Sequence, residues 1–153
     1  MPRFTHPQFA YRRSPDQDAK PPARHQVVVV GAGLVGLTAA LDMAQRGVPV
    51  LLLDDDNTVS VGSRSICQAK RTLEIWDRLG CATPMLEKGV TWQVGRIFRG
   101  GQEVYSFDLQ PEGGQRFPAF INLQQYYVEQ FLFERLQAQS GVEIRWRNKI
   151  TGI

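Results

Sequence analysis

The chain has 153 residues, 42% of them hydrophobic and 22% charged, so it is long enough for a globular domain with a substantial core. Its net charge of +3 resides entirely in residues 1–25, while the remaining residues balance at zero. The sequence therefore has no basic stripe to follow a nucleic-acid backbone, and no apolar run approaches the length of a membrane span.

Residues 1–25 are polar, contain several prolines and have no hydrophobic period, which predicts an N-terminal extension before a domain at 26–153. The pair Arg12-Arg13 is not followed by the apolar segment that an export signal needs. Cys67 and Cys81 fit neither a zinc nor a redox motif, which indicates free thiols, a reducing cytoplasm and no metal site.

A β-α-β unit is predicted over residues 26–56. Four valines at 27–30 indicate a strand buried on both faces, as in a parallel sheet. The apolar spacing of residues 37–44 predicts a helix that Gly47 ends. The apolar run at 48–53 predicts a second strand, which makes the unit the size of one parallel crossover.

The remaining segments predict further elements without a repeat. In chain order these are a helix at 69–79, a β-hairpin at 91–109 with a Gly-Gly turn, a loop at 110–118, a helix at 123–139 and a strand at 142–147. A strand edge so close to Ile153 leads us to expect that the chain is truncated.

The sequence GAGLVG at 31–36 follows the first strand and opens the first helix, which predicts a phosphate-binding turn. Gly31 allows a sharp turn, Gly33 leaves room for a pyrophosphate, and Gly36 lets the helix pack closely. The N–H groups near Val35 would face the anion. Asp54, 23 residues after Gly31, is placed to accept hydrogen bonds from both hydroxyls of an adenosine ribose.

These features alone fit three readings: an FAD site, an NAD-linked Rossmann dehydrogenase, and a nucleotide-binding fragment without catalysis. The sequence after Asp56 favours the first reading, because an NAD-binding domain usually continues with β-α alternation, whereas this chain continues with a helix and a hairpin. Arg64 offers a planar fork to a pyrophosphate or ribityl oxygen, and Gln125 carries a donor and an acceptor for sugar hydroxyls, with Gln124 as its rival.

With these motifs, residues 26–153 resemble the N-terminal part of the FAD-dependent aromatic hydroxylases, the flavoprotein monooxygenases with the p-hydroxybenzoate hydroxylase fold. The nearest branch is the phenol and 3-(3-hydroxyphenyl)propionate hydroxylase type. The family's Ser-Arg segment falls on Ser63 and Arg64, and its Gln-x-x-x-Glu-x-x-Leu motif falls on Gln125, Glu129 and Leu132. Two departures are Asp54 for the usual Glu and Leu34 for a common Pro.

The resemblance implies an α/β fold, a Rossmann-like FAD-binding domain with an inserted β-hairpin. It implies FAD as cofactor, NADH or NADPH as electron donor, and hydroxylation of a small aromatic substrate by O₂ through a flavin C4a-hydroperoxide. It implies no catalytic residue within this chain and leaves the oligomeric state open. The predicted cofactor-binding residues are Gly31, Gly33, Val35, Gly36, Asp54, Arg64 and Gln125.

Overall fold

The computed structural model describes residues 4–62 and 64–152. They form two compact units, one from residues 1–63 and 125–153 and the other from residues 64–124. No helix within the described residues is long and apolar enough to cross a membrane. The elements are β1 (Val28–Val30), α1 (Leu34–Gln45), β2 (Val50–Leu53), β3 (Cys67–Ala69), α2 (Lys70–Arg78), α3 (Ala82–Lys88), β4 (Val90–Trp92), β5 (Val94–Arg99), β6 (Gln102–Asp108), β7 (Phe120–Asn122), α4 (Gln125–Gln137) and β8 (Val142–Arg145).

The first unit contains the predicted β-α-β arrangement. Its sheet is parallel, in the order β1, β2, β8. All four residues of the central strand β2 are buried, because β2 has a neighbour on each side and helix α1 packs against it. The α1 residues that the sequence placed on one apolar face are all buried, namely Leu37, Ala40, Leu41 and Ala44. Gly47 follows the helix with a φ of +75°, as expected of a C-terminal glycine.

Helix α4 and strand β8 also lie where the sequence predicted them. Helix α4 buries Val128, Leu132 and Leu136, the three residues expected to share a face, and it packs against α1. Strand β8 pairs with β2 in parallel, with Leu53 opposite Arg145. Gly141 precedes β8 with a φ of +81°.

Strand β1 differs from its prediction. Val28 is 46% exposed and Val30 is 62% exposed, so the strand is not buried on both faces. Only Val29 turns toward α1, with its side chain close to the position of Gly36. The physical reason is that β1 makes its main contacts among the described elements with β2 and α1, so that α1 covers the face of Val29 and leaves the opposite face, with Val28 and Val30, exposed.

The N-terminal extension is packed against the first unit along part of its length. The ring of Phe9 is stacked on Trp146 at a centroid distance of 4.3 Å and lies 4.5 Å from Phe133. Asp16, within a short 3₁₀ helix, forms a 2.6 Å ion pair with the largely buried guanidinium of Arg145. The hydrogen bond from Arg145 lowers the pKa of the Asp16 carboxyl below its ordinary value of 3.8.

The second unit holds an antiparallel sheet in the order β3, β7, β4 and the separate β5–β6 hairpin. The hairpin confirms the predicted Gly-Gly turn, since Gly100 and Gly101 have positive φ values of 55° and 82°. The hairpin begins at Val94, because Trp92 belongs to β4 and pairs with β7. Helix α2 follows its prediction, whereas helix α3 and the short strands β3, β4 and β7 were not predicted.

Candidate cofactor site

The glycine-rich turn joins β1 to α1, and two of its glycines are required by the fold itself. Gly31 has a φ of +97°, a conformation that residues with a side chain rarely adopt. Its N–H donates to the carbonyl of Leu53 at 2.7 Å, so the turn begins where β1 and β2 end. A Cβ at Gly36 would overlap the carbonyl oxygen of Gly31, and only glycine allows this close approach of the helix to the turn.

Gly33 is different, because nothing in the protein's own packing requires glycine there. Its φ of −80° and ψ of −172° are extended values that any residue adopts. A Cβ at this position would have as its nearest neighbour the Oε1 atom of Glu129, at an ordinary 3.8 Å. The missing side chain therefore leaves space beside the turn without being needed for the turn.

The N-terminus of α1 lies at this space and presents backbone donors to it. The first helical hydrogen bond runs from the N–H of Leu37 to the carbonyl of Gly33, at 2.9 Å. The N–H groups of Leu34, Val35 and Gly36 precede that bond, and no side chain among the described residues caps the helix. With the positive end of the helix dipole, these donors suit an anion. The side chain of Val35 itself is 84% exposed.

Asp54 follows β2 directly and lies beside the glycine-rich turn. One carboxylate oxygen accepts the N–H of Ala32 at 2.5 Å, and the other accepts the N–H of Asp56 at 2.8 Å. These two bonds fix the carboxylate at the carboxyl end of the strands. Because a carboxylate offers about four lone-pair positions, Asp54 retains the capacity to accept further hydrogen bonds from a ribose.

Gln125 begins α4 and belongs to a buried polar cluster with Glu129 and Ser60. The Gln125 side-chain nitrogen donates to Glu129 Oε1 at 2.7 Å and contacts Ser60 Oγ at 2.9 Å. Ser60 holds the same carboxylate through its N–H at 2.6 Å and its hydroxyl at 2.8 Å. Glu129 is only 1% exposed, and its Oε1 is the atom that faces Gly33.

Glu129 and Ser60 are site residues that the sequence reasoning did not select. Glu129 was noted only as part of the Gln-x-x-x-Glu-x-x-Leu motif. The available signal was its place one turn after Gln125, on a face that also carries the buried Val128 and Leu132. A carboxylate on an apolar helix face needs donors, but the sequence does not show that Ser60 provides them.

Two residues named from the sequence, Arg64 and Ser63, are not seen in this cluster. Arg64 belongs to the second unit, where it is exposed. Ser63 lies outside the described residues. The contact of Arg64 with a cofactor stays a prediction, whereas Gly31, Gly33, Val35, Gly36, Asp54 and Gln125 all belong to the first unit.

This arrangement of a parallel sheet, a glycine-rich turn and an acid after the second strand defines a dinucleotide-binding α/β protein. Residues 24–153 match the family model described as an FAD binding domain, and the chain belongs to that family. The match confirms the fold class and the resemblance on which the FAD assignment depended.

The relatives include monooxygenases and a hydroxylase. The chain is 29% identical over 134 residues to a flavin-dependent monooxygenase of Mycobacteroides abscessus, covering 82% of this chain and 28% of that protein. It is 27% identical to a 3-(3-hydroxy-phenyl)propionate/3-hydroxycinnamic acid hydroxylase of Mycobacterium sp. strain JLS, covering 81% of this chain and 22% of that protein. The crystal structure of p-nitrophenol 4-monooxygenase PnpA from Pseudomonas putida DLL-E4 superposes with a TM-score of 0.71 and 30% identity, covering 80% of this chain and 32% of PnpA.

The chain thus spans about a fifth to a third of the length of these relatives. Its own residues fit the adenosine half of FAD. The space beside Gly33 would be filled by a side chain, the N-terminus of α1 offers donors to a pyrophosphate, and Asp54 offers acceptors to a ribose. The donors and the acceptors lie on the two sides of one turn, as a nucleotide requires.

Proposed function

We propose that this chain provides the adenosine-binding half of the FAD site in an NADH- or NADPH-dependent monooxygenase. The substrate is a small phenolic or related aromatic compound, and the oxidant is O₂. One observation carries the proposal: Gly33 leaves open a space that the fold does not need, beside the N-terminus of α1. This space occurs in a chain that belongs to the FAD-binding family.

Each residue of the site has a binding task in this proposal. The N–H groups of Leu34, Val35 and Gly36 bind the pyrophosphate through the helix dipole and direct hydrogen bonds. Asp54 binds the adenosine ribose, and its negative charge disfavours a dinucleotide that carries a phosphate on that ribose. Gln125 binds a sugar hydroxyl.

Bound FAD would supply the redox chemistry, accepting a hydride from the nicotinamide donor and activating O₂. The residues of this chain contribute position and polarity. The names of the relatives support an aromatic substrate, since one is a hydroxylase of a hydroxyphenyl compound and another oxidises p-nitrophenol. Neither Cys67 nor Cys81 forms a disulfide, which supports a cytoplasmic location.

The experiment is a comparison of cofactors followed by turnover. The complete enzyme that contains this chain is purified and titrated with FAD and with NADH while thermal unfolding is monitored. We expect FAD to raise the unfolding midpoint more than NADH does at equal concentration. With FAD bound, oxidation of NADH or NADPH should accelerate when a phenolic compound is added, and a hydroxylated product should form.

Other results would support a different function. Stabilisation by NADH without FAD binding would favour an NAD-linked dehydrogenase. FAD binding without oxidation of either nicotinamide would leave a nucleotide-binding chain without turnover. Failure to bind FAD at all would refute the proposal.

A further inference from the structure

Glu129 has no task in the proposed function, although its environment is unusual for a carboxylate. It is 1% exposed, and within the described residues it appears in no ion pair with a lysine or arginine. A buried carboxylate is costly unless donors satisfy it. Here the donors are the N–H and hydroxyl of Ser60 and the side-chain amide of Gln125.

Ser60 and Gln125 both donate hydrogen bonds to the Glu129 carboxylate, and the Gln125 nitrogen also donates to Ser60 Oγ at 2.9 Å. Ser60 fixes the carboxylate with two bonds of 2.6 and 2.8 Å. The fixed carboxylate then accepts the Gln125 nitrogen at 2.7 Å. A charged acceptor binds an N–H donor more strongly than a neutral one does. The carboxylate therefore favours the orientation in which the nitrogen of the Gln125 amide lies against Glu129 and Ser60.

We propose that Glu129 is a positioning residue for the cofactor: it binds the nitrogen of the Gln125 amide and so turns the amide oxygen toward a sugar hydroxyl of FAD. The inference rests on the proposed function. It assigns Gln125 the role of acceptor, so Gln125 recognises a hydroxyl group and does not donate to a phosphate. The place of Glu129 beside Gly33 puts this control within the same site as the glycine-rich turn.

The test measures the Kd for FAD by quenching of flavin fluorescence, together with thermal unfolding of the protein without FAD. Glu129→Gln retains the shape of the side chain but loses the charge and offers an N–H of its own, which lets the Gln125 amide reverse. We expect the Kd for FAD to rise about tenfold, the equivalent of one charge-assisted hydrogen bond. Glu134→Gln, an exposed change on the same helix, is the matched control and should leave the Kd unchanged.

A double-mutant cycle separates positioning from general support of the fold. Gln125→Ala removes the amide through which Glu129 acts. In that background, Glu129→Gln should raise the Kd by less than about threefold, because two residues that act through one contact are not additive. A merely structural role for Glu129 would give the same factor in both backgrounds, and that result would overturn the proposal.

Ser60→Ala covers the case in which Glu129→Gln does not fold. This variant removes one of the two bonds that fix the carboxylate and also the contact between Ser60 Oγ and the Gln125 nitrogen, and we expect a rise in the Kd of about threefold. An unchanged Kd in Ser60→Ala and in any folded Glu129→Gln protein would overturn this proposal alone. Absence of FAD binding by the wild-type protein would overturn the proposed function and this proposal with it.

Discussion

The open space beside Gly33 leads to the sharpest prediction, because it separates binding from folding. Gly33→Ala adds one methyl group whose nearest non-neighbouring atom in the protein is 3.8 Å away. The backbone at this position is already extended, so alanine introduces no strain. The only expected cost to folding is the poorer N-cap preference of alanine, at most about 1 kcal/mol.

The same methyl group would occupy the place of the pyrophosphate. We expect the affinity for FAD to fall at least about tenfold, which is about 1.4 kcal/mol. The contrasting variant is Gly36→Ala, whose methyl group would overlap the carbonyl oxygen of Gly31. That overlap forces the helix away from the turn and should destabilise the protein by about 3 kcal/mol.

The assay combines urea unfolding of the protein without FAD with FAD titration by fluorescence. Gly33→Ala should unfold near the wild-type midpoint and bind FAD poorly, whereas Gly36→Ala should show a clearly lower midpoint before any cofactor is added. If Gly33→Ala bound FAD with wild-type affinity, the space would not be the pyrophosphate site. If it unfolded as easily as Gly36→Ala, the assignment of its glycine to the ligand would be wrong.

Three further predictions concern single side chains. Asp54→Ala should lower the affinity for FAD by about 1–3 kcal/mol through lost ribose hydrogen bonds, measured by the same fluorescence titration; wild-type affinity would remove Asp54 from the site. Phe9→Ala should lower the free energy of unfolding, measured in urea, by about 2 kcal/mol, because it deletes a half-buried ring. Phe98→Ala, at an exposed position, should change that free energy little. Equal effects of the two changes would mean that the N-terminal segment is not packed in solution. Asp16→Asn should reduce stability at neutral pH, where the carboxylate paired with Arg145 is ionised. The difference from wild type should shrink as the pH falls below the ordinary Asp value of 3.8 and vanish once the pH has passed the lowered pKa of Asp16, because the carboxyl of the native protein is then uncharged. A difference that persists at still lower pH would contradict the ion-pair account.

The elements that the sequence predicted well are those whose signals are local. Helices α1 and α4 carry their apolar residues at helical spacing, and glycine follows each of them. The β5–β6 hairpin is specified by its two turn glycines. These features depend on residues within one turn or one hairpin, so a single sequence contains them.

The missed elements depend on residues far along the chain. Strand β7 has three residues and is stable because β3 pairs on one side and β4 on the other. Three residues are too few for a period to be recognised. Helix α3 is short and contains Pro84. Proline in a sequence indicates the end of a helix, although the first turn of a helix accepts it. The exposure of β1 was missed because an apolar run does not state how many neighbours the strand has.

The residues of the candidate site also divide into those with a local sequence signal and those whose partners lie far along the chain. The spacing of the glycines and Asp54 was informative because the turn and the strand end are set by one β-α-β unit. The partner of Glu129 is Ser60, 69 residues away, and no local pattern indicates that pairing. The sequence therefore predicted that the glycine-rich turn and Asp54 lie together, but not how the Gln125 amide is oriented.

Two carboxylates consequently lie beside one anion-binding turn, and the structure keeps them apart in function. Asp54 is held by backbone N–H groups and remains at the strand end, where a ribose can reach it. Glu129 is buried, is held by the N–H and hydroxyl of Ser60, and acts on its neighbour Gln125. Loss of space at Gly33 and loss of charge at Glu129 should thus both weaken FAD binding, but only the effect of Glu129→Gln should depend on whether Gln125 is present. That dependence distinguishes a residue that makes room for the cofactor from one that orients its contact.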